Sequence, residues 1–153
     1  MTFEMTDQVL RRLTDDTLVW LTTVTPSGRP APRLVWFMWL DGASDPSQDA
    51  ARLAPSRSAC LIYSQPGAAK LRHIAVNDRV TLNFNSNELG GDAIVLAGRA
   101  ELVPDAPSAA EVPGLLAKYA EMLAAIGMTA EHFTGTYTVA MRVIPDHAWT
   151  VSA

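Results

Sequence analysis

The residue types most able to do chemistry fall within residues 60–84, which read CLIYSQPGAAKLRHIAVNDRVTLNF. An apolar strand ends at Tyr63 and Ser64, a proline–glycine turn follows, and a short helix opens with Lys70. The first-turn amides of a helix are unpaired and the helix dipole is positive there, so a hydroxyl and a lysine beside them suit a phosphate. The sequence therefore predicts an anion site here, although these residues alone do not distinguish phosphate from sulfate.

The distribution of charge supports a small anionic ligand. The chain carries a net charge of −4, but residues 29–80 contain seven of the twelve cations and only four acids. An acidic protein is poorly suited to nonspecific nucleic-acid binding, whereas a locally basic middle suits a small polyanion. For any single one of these arginines, a solvated surface position is the simpler explanation.

Several familiar sites are absent from the sequence. The histidines at 73, 132 and 147 lack metal-ligand spacing, so no metal site is expected, and His73 is predicted to be a helix-packing or surface residue rather than a ligand-binding one. No GxSxG, GxGxxG or Walker pattern occurs. The single Cys60 lies in an apolar strand and is expected to be buried. The sequence has no apolar run long enough to span a membrane, and its N-terminal residues lack the apolar segment of a secretory signal peptide. We therefore expect a cytoplasmic protein that does not bind membranes.

The remaining pattern predicts one domain spanning residues 1–153. Strands are expected at 18–24, 33–40, 59–64, 79–85, 92–103 and 137–149, with helices at 3–14, just after Lys70, from near Glu111 to Gly127, and from Thr129 to Phe133. Residues 41–58 are predicted to form a long loop or inserted excursion. Six strands in consecutive hairpin-like order, with the helices set apart, predict an antiparallel barrel or α+β sheet.

Aromatic residues lie on both faces of the second predicted strand. Alternation sends Trp36 to one face and Phe37 and Trp39 to the other, with Trp20 on the neighbouring strand. One set is expected to fill the barrel, which leaves the other for a ring-shaped ligand or a subunit interface. Since exposing that much apolar surface is unfavourable, the sequence predicts a homodimer.

Four segments in order, VWLTTV, PAPRLVWFMW, LIYSQPGAAKLRHIAVNDRVTLNF and GGDAIVLAGRAELV, resemble the FMN-binding split-barrel superfamily, which includes pyridoxamine phosphate oxidase. The closer resemblance is to its actinobacterial branch of deazaflavin-dependent oxidoreductases, which use coenzyme F-420, and VPGLLAKYAEMLAAIGMTAEHFTGTYTVAMRVIP extends it over nearly the whole chain. The resemblance implies a homodimeric, mainly β (α+β) fold: a six-stranded antiparallel split β-barrel of Greek-key type with a few flanking helices.

The resemblance also implies where a cofactor phosphate would bind. In the family the phosphate is held by the lysine of a K-x-x-x-I segment, here Lys70 with Ile74, and by the preceding strand end, here Ser64 and Gln65. Pyridoxamine phosphate oxidase usually has an arginine shortly before that lysine. This chain has Gly-Ala-Ala there instead, which weakens the case for FMN.

The cofactor ring of the family typically lies along the backbone of the second strand. By resemblance this position corresponds to Val35, Trp36 and Phe37, while Arg33 and Arg79 are further candidates for binding anionic groups of the cofactor.

The function implied is hydride transfer between reduced F-420 and the electron-poor double bond of a small organic substrate. Because F-420 carries a phosphate and a carboxylate-rich glutamyl tail, the local positive charge favours it over FMN. An FMN-dependent oxidase using molecular oxygen and a noncatalytic carrier of flavin or deazaflavin stay open as alternatives. Tyr63 or a bound water could supply a proton, but the sequence assigns no catalytic residue and no particular substrate.

Overall fold

The computed structural model describes residues 4–41 and 58–153, and the part of the chain it describes contains seven strands, four α-helices and one 3-10 turn. In chain order these are α1 (Asp7–Asp15), β1 (Val19–Val24), β2 (Pro30–Val35), β3 (Met38–Leu40), β4 (Ala59–Ser64), α2 (Ala69–Val76), β5 (Arg79–Phe84), β6 (Ala93–Leu102), the 3-10 turn (Ala109–Glu111), α3 (Leu115–Ala125), α4 (Ala130–Thr136) and β7 (Val139–Val151). Apart from its two end residues, the predicted 41–58 excursion lies outside the described residues.

All seven strands form one antiparallel sheet in the order β2-β1-β5-β6-β7-β4-β3. The two edge strands, β2 and β3, are separated in sequence only by Trp36 and Phe37. Three peptide units span at most about 11 Å, so the ends of the edge strands must lie close together. The sheet is therefore curled, as the mainly antiparallel α+β prediction required.

The prediction of six strands is wrong because residues 33–40 do not form one continuous strand. The chain leaves β2 at Val35 and re-enters the sheet at Met38. Between them, the Phe37 N–H donates to the Tyr119 hydroxyl at 2.7 Å, and the Phe37 carbonyl lies 2.7 Å from that hydroxyl and accepts from Lys118 Nζ at 3.0 Å. Side chains of α3 thus take the place of a neighbouring strand at this link.

The curled sheet separates two apolar cores. Along β4, Cys60 and Ile62 belong to the core inside the sheet, whereas Leu61 and Tyr63 belong to the core between the sheet and helices α3 and α4. Both faces of β4 are therefore covered, and all six of its residues are buried. Among the described residues, no helix has the length and apolar character needed to cross a membrane.

Several predicted element boundaries are confirmed. Thr129 caps α4, and Gly127 after α3 has a positive φ of 70°, whereas α1 begins after a cap at Thr6 and not at residue 3 as predicted. The helix predicted from near Glu111 instead starts at Leu115, because Gly114 interrupts it in a left-handed conformation with φ 81°. These boundaries fix the corner between α3 and α4.

The backbones of β6 and β7 approach each other closely at Gly98. The register between β6 and β7 shifts between Ala97 and Gly98, where Gly98 pairs with Pro145. A Cβ at Gly98 would lie 2.2 Å from the Ile144 carbonyl oxygen, so the bulge leaves no room for a side chain.

Lys118 has an unusual environment at the link between β2 and β3. Its ammonium lies 3.9 Å from the centroid of the Phe37 ring, and no carboxylate of the described residues lies within 4.0 Å of it. Burial lowers the pKa of Lys118 to about 8, although Asp16 and Asp15 act weakly in the opposite direction.

This pKa makes stability depend on pH in a defined direction. The unfolded lysine keeps a pKa of 10.5, whereas the folded protein releases the proton near pH 8. Between these values the unfolded state binds more protons, so the free energy of unfolding rises with pH. We expect wild-type protein to gain stability relative to Lys118→Met between about pH 7.5 and 10, measured by urea denaturation. Parallel pH profiles for the two proteins would contradict this assignment.

Candidate functional site

A cleft opens where β2, the end of β4, the start of α2 and the α3–α4 corner meet. It encloses about 510 Å³ of space not filled by atoms, its open mouth included. Nine residues line it: Leu34, Val35, Trp36, Tyr63, Lys70, Ile126, Met128, Phe133 and Tyr137. Three of these residues, Val35, Trp36 and Lys70, were predicted from the sequence, and the structure brings them together.

Lys70 lies in the first turn of α2 and is partly buried. Desolvation lowers the pKa of its ammonium, and the positive charge of Arg33 lowers the same pKa further. Within the described ranges, no carboxylate lies within 4.0 Å of Lys70. The cap residue Ala68 offers no side-chain acceptor to the first turn of the helix. This end of the cleft is thus positively charged and uncompensated, an arrangement that an anion would stabilise.

The two other residues predicted to bind the phosphate differ in accessibility. Ser64 is 1% exposed and its hydroxyl has no hydrogen-bond partner among the described residues. It ends β4 and does not line the cleft. Gln65 follows it and is exposed. A buried hydroxyl without a partner is uncommon, so Ser64 differs in this respect from most buried polar side chains.

Trp36 forms the floor of the cleft. Its ring stacks on the Tyr119 ring with centroids 4.5 Å apart and an interplanar angle of 2°, and it packs at 5.3 Å against Phe133. Phe37 points the opposite way, is 1% exposed and belongs to the core inside the sheet. Its backbone groups are already bonded by α3. Of the three residues predicted to lie along the cofactor ring, Val35 and Trp36 therefore line the cleft and Phe37 does not.

The two predicted arginines lie in different places. Arg33 is exposed on β2, donates to the Pro32 carbonyl at 2.7 Å and is near enough to Lys70 to affect its pKa. Arg79 instead lines a separate groove and forms an ion pair with Asp146 at 3.3 Å. The structure does not bring Arg79 to the cleft, because β5 begins at the end of α2 away from Lys70.

Sequence reasoning missed the wall opposite β2. Ile126, Met128, Phe133 and Tyr137 come from the α3–α4 corner and from the end of α4, and none of them was assigned to a site from the sequence. The glycine and the capping threonine between the two helices predicted a tight corner, and that corner is the signal from which the wall could have been placed.

Tyr63 and His73, two side chains of interest in the sequence, are both engaged in hydrogen bonds. The Tyr63 hydroxyl donates to the Pro107 carbonyl at 2.5 Å, and burial raises the pKa of Tyr63 to about 12. His73 Nδ1 lies 2.8 Å from the Thr23 hydroxyl, in accordance with the predicted packing role. Across residues 4–41 and 58–153, no group of three or more histidine, cysteine or acidic side chains is arranged to hold a metal ion.

Solved structures with the same fold have diverse descriptions. An F420 reductase is similar with a TM-score of 0.61 at 20% identity, over 91% of this chain and 94% of that chain. A FAD-binding protein from Mesorhizobium loti has a TM-score of 0.52 at 16% identity, over 91% of this chain and 86% of that chain. The heme storage protein HutZ from Vibrio cholerae has a TM-score of 0.55 at 15% identity, over 99% of this chain and 96% of that chain. At these identities the likeness shows the fold alone.

No curated protein matches the chain. The sequence profile of the family described as pyridoxamine 5'-phosphate oxidase matches residues 5–151, which is nearly the full length. The chain therefore belongs to the pyridoxamine 5'-phosphate oxidase family.

Proposed function

We propose that the protein is an oxidoreductase that uses coenzyme F-420 to transfer a hydride to or from a small unsaturated organic molecule. One observation carries this proposal. The cleft has a positive end, formed by Lys70 and Arg33 without a neighbouring carboxylate among the described residues, and its other walls are aromatic and apolar. A flat ring attached to a phosphate requires that combination. Family membership and the F420 reductase among the similar folds support it.

The residues present fit such a cofactor. Lys70, Arg33 and the first-turn amides of α2 would hold the phosphate. The ring would lie along Val35 and Trp36. When bound, the deazaflavin supplies the hydride chemistry.

The chain's own contribution is orientation and exclusion of water. Trp36 is held in position by its stack on Tyr119 and its contact with Phe133, so the part of Trp36 that lines the cleft is fixed. Most of the remaining lining is apolar, which limits water in the space where substrate and cofactor would meet.

FMN is the second candidate cofactor. The family is described as pyridoxamine 5'-phosphate oxidase, and one protein with a similar fold is described as FAD-binding. F-420 is favoured here because its glutamyl tail adds carboxylates that Arg33, exposed at the rim, could meet. A noncatalytic carrier is the third candidate, and the heme storage protein shows that this fold also serves storage.

We expect oxidised F-420 to quench the tryptophan fluorescence of the purified protein saturably, and FMN to do so far more weakly. Lys70→Ala removes a charge-assisted hydrogen bond to the phosphate and should weaken F-420 binding by about 1.5–3 kcal/mol, roughly 10- to 150-fold in dissociation constant.

Arg79→Ala is the matched control, because it removes a cation from the same domain but from the other groove. It should leave the dissociation constant within about twofold, a change smaller than one typical hydrogen bond.

Equal or reversed preference for FMN would refute the choice of F-420. An unchanged dissociation constant in Lys70→Ala would refute the placement of the phosphate. The enzyme and carrier hypotheses are separated by incubating reduced F-420 with quinones, enones and tetrapyrroles. If none of these compounds reoxidises the cofactor faster with the protein than without it, the carrier is favoured.

We further propose that the protein forms a homodimer, on a surface that includes Trp20 but not the other aromatic residues from which the dimer was predicted. Trp36 is covered by α3 and α4, and Phe37 and Trp39 pack in the core inside the sheet, so none of them needs a partner subunit. On the outer face of the sheet, however, strand register places Leu34, Trp20, Asn83, Val95 and Trp149 in one row across five strands. Leu34, Trp20 and Trp149 are 45%, 39% and 60% exposed, so this row leaves apolar surface for a second copy to cover.

Sedimentation equilibrium tests the dimer. Wild-type protein should sediment at twice the chain mass, and Trp149→Glu should shift it toward the monomer because a carboxylate in the interface would be desolvated. Leu89→Glu, at a 97% exposed turn residue, is the control and should remain dimeric. A monomeric wild-type protein at micromolar concentration would rule the dimer out.

A further inference from the structure

Lys118 places a desolvated positive charge beside the floor of the cleft. Its ammonium donates to the Phe37 carbonyl at 3.0 Å and lies 3.9 Å from the centroid of the Phe37 ring. Phe37 directly follows Trp36 in the link between β2 and β3. The Trp36 ring in turn stacks on Tyr119, the next residue of α3 after the lysine. Lys118 is therefore connected to Trp36 both through the link and through the helix.

The hydrogen-bond count at the link requires a donor besides Tyr119. The Tyr119 hydroxyl has one proton, but two carbonyl oxygens lie close to it, that of Phe37 at 2.7 Å and that of Thr17 at 2.9 Å. The same hydroxyl already accepts from the Phe37 N–H. Because the Lys118 ammonium gives the Phe37 carbonyl a donor of its own, the tyrosine proton can bond to Thr17. The position of the link thus depends on Lys118 as well as on Tyr119.

Stability does not explain why the side chain at this position is charged. Burial disfavours the ammonium of Lys118, and no carboxylate of the described residues forms an ion pair with it. A methionine would fill a similar space without the desolvation of a charge. The charge does provide a stronger hydrogen bond, because a bond from an ionised donor is roughly twice as strong as a neutral one. Position, rather than stability, is what the ammonium contributes.

We propose that Lys118 is a positioning residue through which a bound proton controls the floor of the cleft. With the proton bound, the charge-assisted bond to the Phe37 carbonyl and the contact with the Phe37 ring hold the link, and Trp36 is fixed. When the proton is lost, the ring contact loses its cation and the bond to the carbonyl weakens. Trp36 is then held less firmly, so a flat ring binds more weakly. This last step, the effect on ring binding, rests on the proposed function.

The groups around Lys118 identify the proton that would be exchanged. The pKa of Lys118 is lowered by burial to about 8. Burial raises the pKa of the Cys60 thiol on β4 to about 12, and it raises the pKa of Tyr119 as well. Asp15 and Asp16, at the end of α1, are carboxylates that favour the ammonium. A change centred near pH 8 at this link therefore reports Lys118.

Fluorine NMR of the full chain, labelled with fluorotryptophan and without added cofactor, tests the inference. The chain has four tryptophans, and Trp36→Phe identifies the Trp36 resonance. In wild type this resonance should shift in one step centred near pH 8. In Lys118→Met, which is never charged, and in Lys118→Arg, which is always charged, it should stay constant between about pH 7 and 9. The resonance of Trp20, on the outer face of the sheet, is the internal control and should show no such step.

Two results of the NMR experiment would overturn the inference. One is a Trp36 resonance that does not move in wild type, and the other is a step that persists in Lys118→Met. Lys70→Met covers the other lysine of the cleft, whose pKa burial also lowers, and the step should remain in this variant. A step that disappears in Lys70→Met would assign the proton to Lys70 and reject the role of Lys118.

Equilibrium dialysis with deazariboflavin measures the consequence for a ring. This probe has no phosphate, and its ring stays uncharged over the pH range used. Its dissociation constant for wild type should rise roughly 3- to 5-fold between about pH 7 and 9, the difference expected between a charge-assisted and a neutral hydrogen bond. For Lys118→Arg it should change less than about twofold, because the charge is kept. A wild-type dissociation constant that is the same at both pH values would contradict the inference.

The two readouts also separate this inference from the proposed function. If wild type does not bind deazariboflavin at either pH, the proposed function fails, whereas a Trp36 step that depends on Lys118 preserves the positioning role. If the ring binds but the step is absent, the proposed function stands and the inference fails.

Discussion

The rest of the structure depends on how the two-residue link between β2 and β3 satisfies its backbone. These strands are opposite edges of one sheet, so the link cannot pair with a strand of its own. Buried peptide groups without partners are costly, and Tyr119 and Lys118 of α3 supply the missing hydrogen bonds to Phe37. With the link fixed, Phe37 fills the core inside the sheet and Trp36 faces the cleft. One helix therefore holds the curled sheet in shape and sets the orientation of the cleft floor.

The two sides of the cleft come from different parts of the chain and have different chemistry. Strand β2 and helix α2 contribute the positive end and the Trp36 platform, while the α3–α4 corner contributes the apolar wall with Tyr137. A ligand held between them would be oriented by charge at one end and by shape along its length. Because α3 both supports Trp36 and leads into the wall, the two sides are held at a fixed separation rather than on independent loops. Such rigidity favours orientation of a flat ring over acid–base chemistry by the protein.

Local patterns in the sequence predicted local features well. Alternation located most of the strands, Thr129 and Gly127 marked helix ends, and the structure brings Lys70, Val35 and Trp36 together in one cleft. The break after Val35 could not be predicted, because the apolar pattern continues through it and the residues that cause it lie more than 80 positions away. The separation of Arg79 from Lys70 could not be predicted either, because it also depends on the three-dimensional path of the chain. Both lie near α2 in sequence, but the helix carries the chain from one groove to another. Tyr137 was predicted to begin the last strand, and the sequence pattern does not show that it instead ends α4 beside the cleft.

The environment of Lys70 connects stability with ligand binding. Desolvation and the charge of Arg33 both disfavour its ammonium, so the lysine is in an unfavourable electrostatic position when no anion is present. The same desolvation strengthens its attraction to an anion, because charges interact more strongly where water is partly excluded. Under the proposed function, the unfavourable free energy of holding two cations together without a carboxylate would be recovered by a phosphate bound between them. A surface lysine with a nearby acid would be more stable in the free protein, but it would bind the phosphate less strongly. The absence of an acid beside Lys70 in the described part of the chain is therefore the feature of this site that is hardest to explain by folding alone.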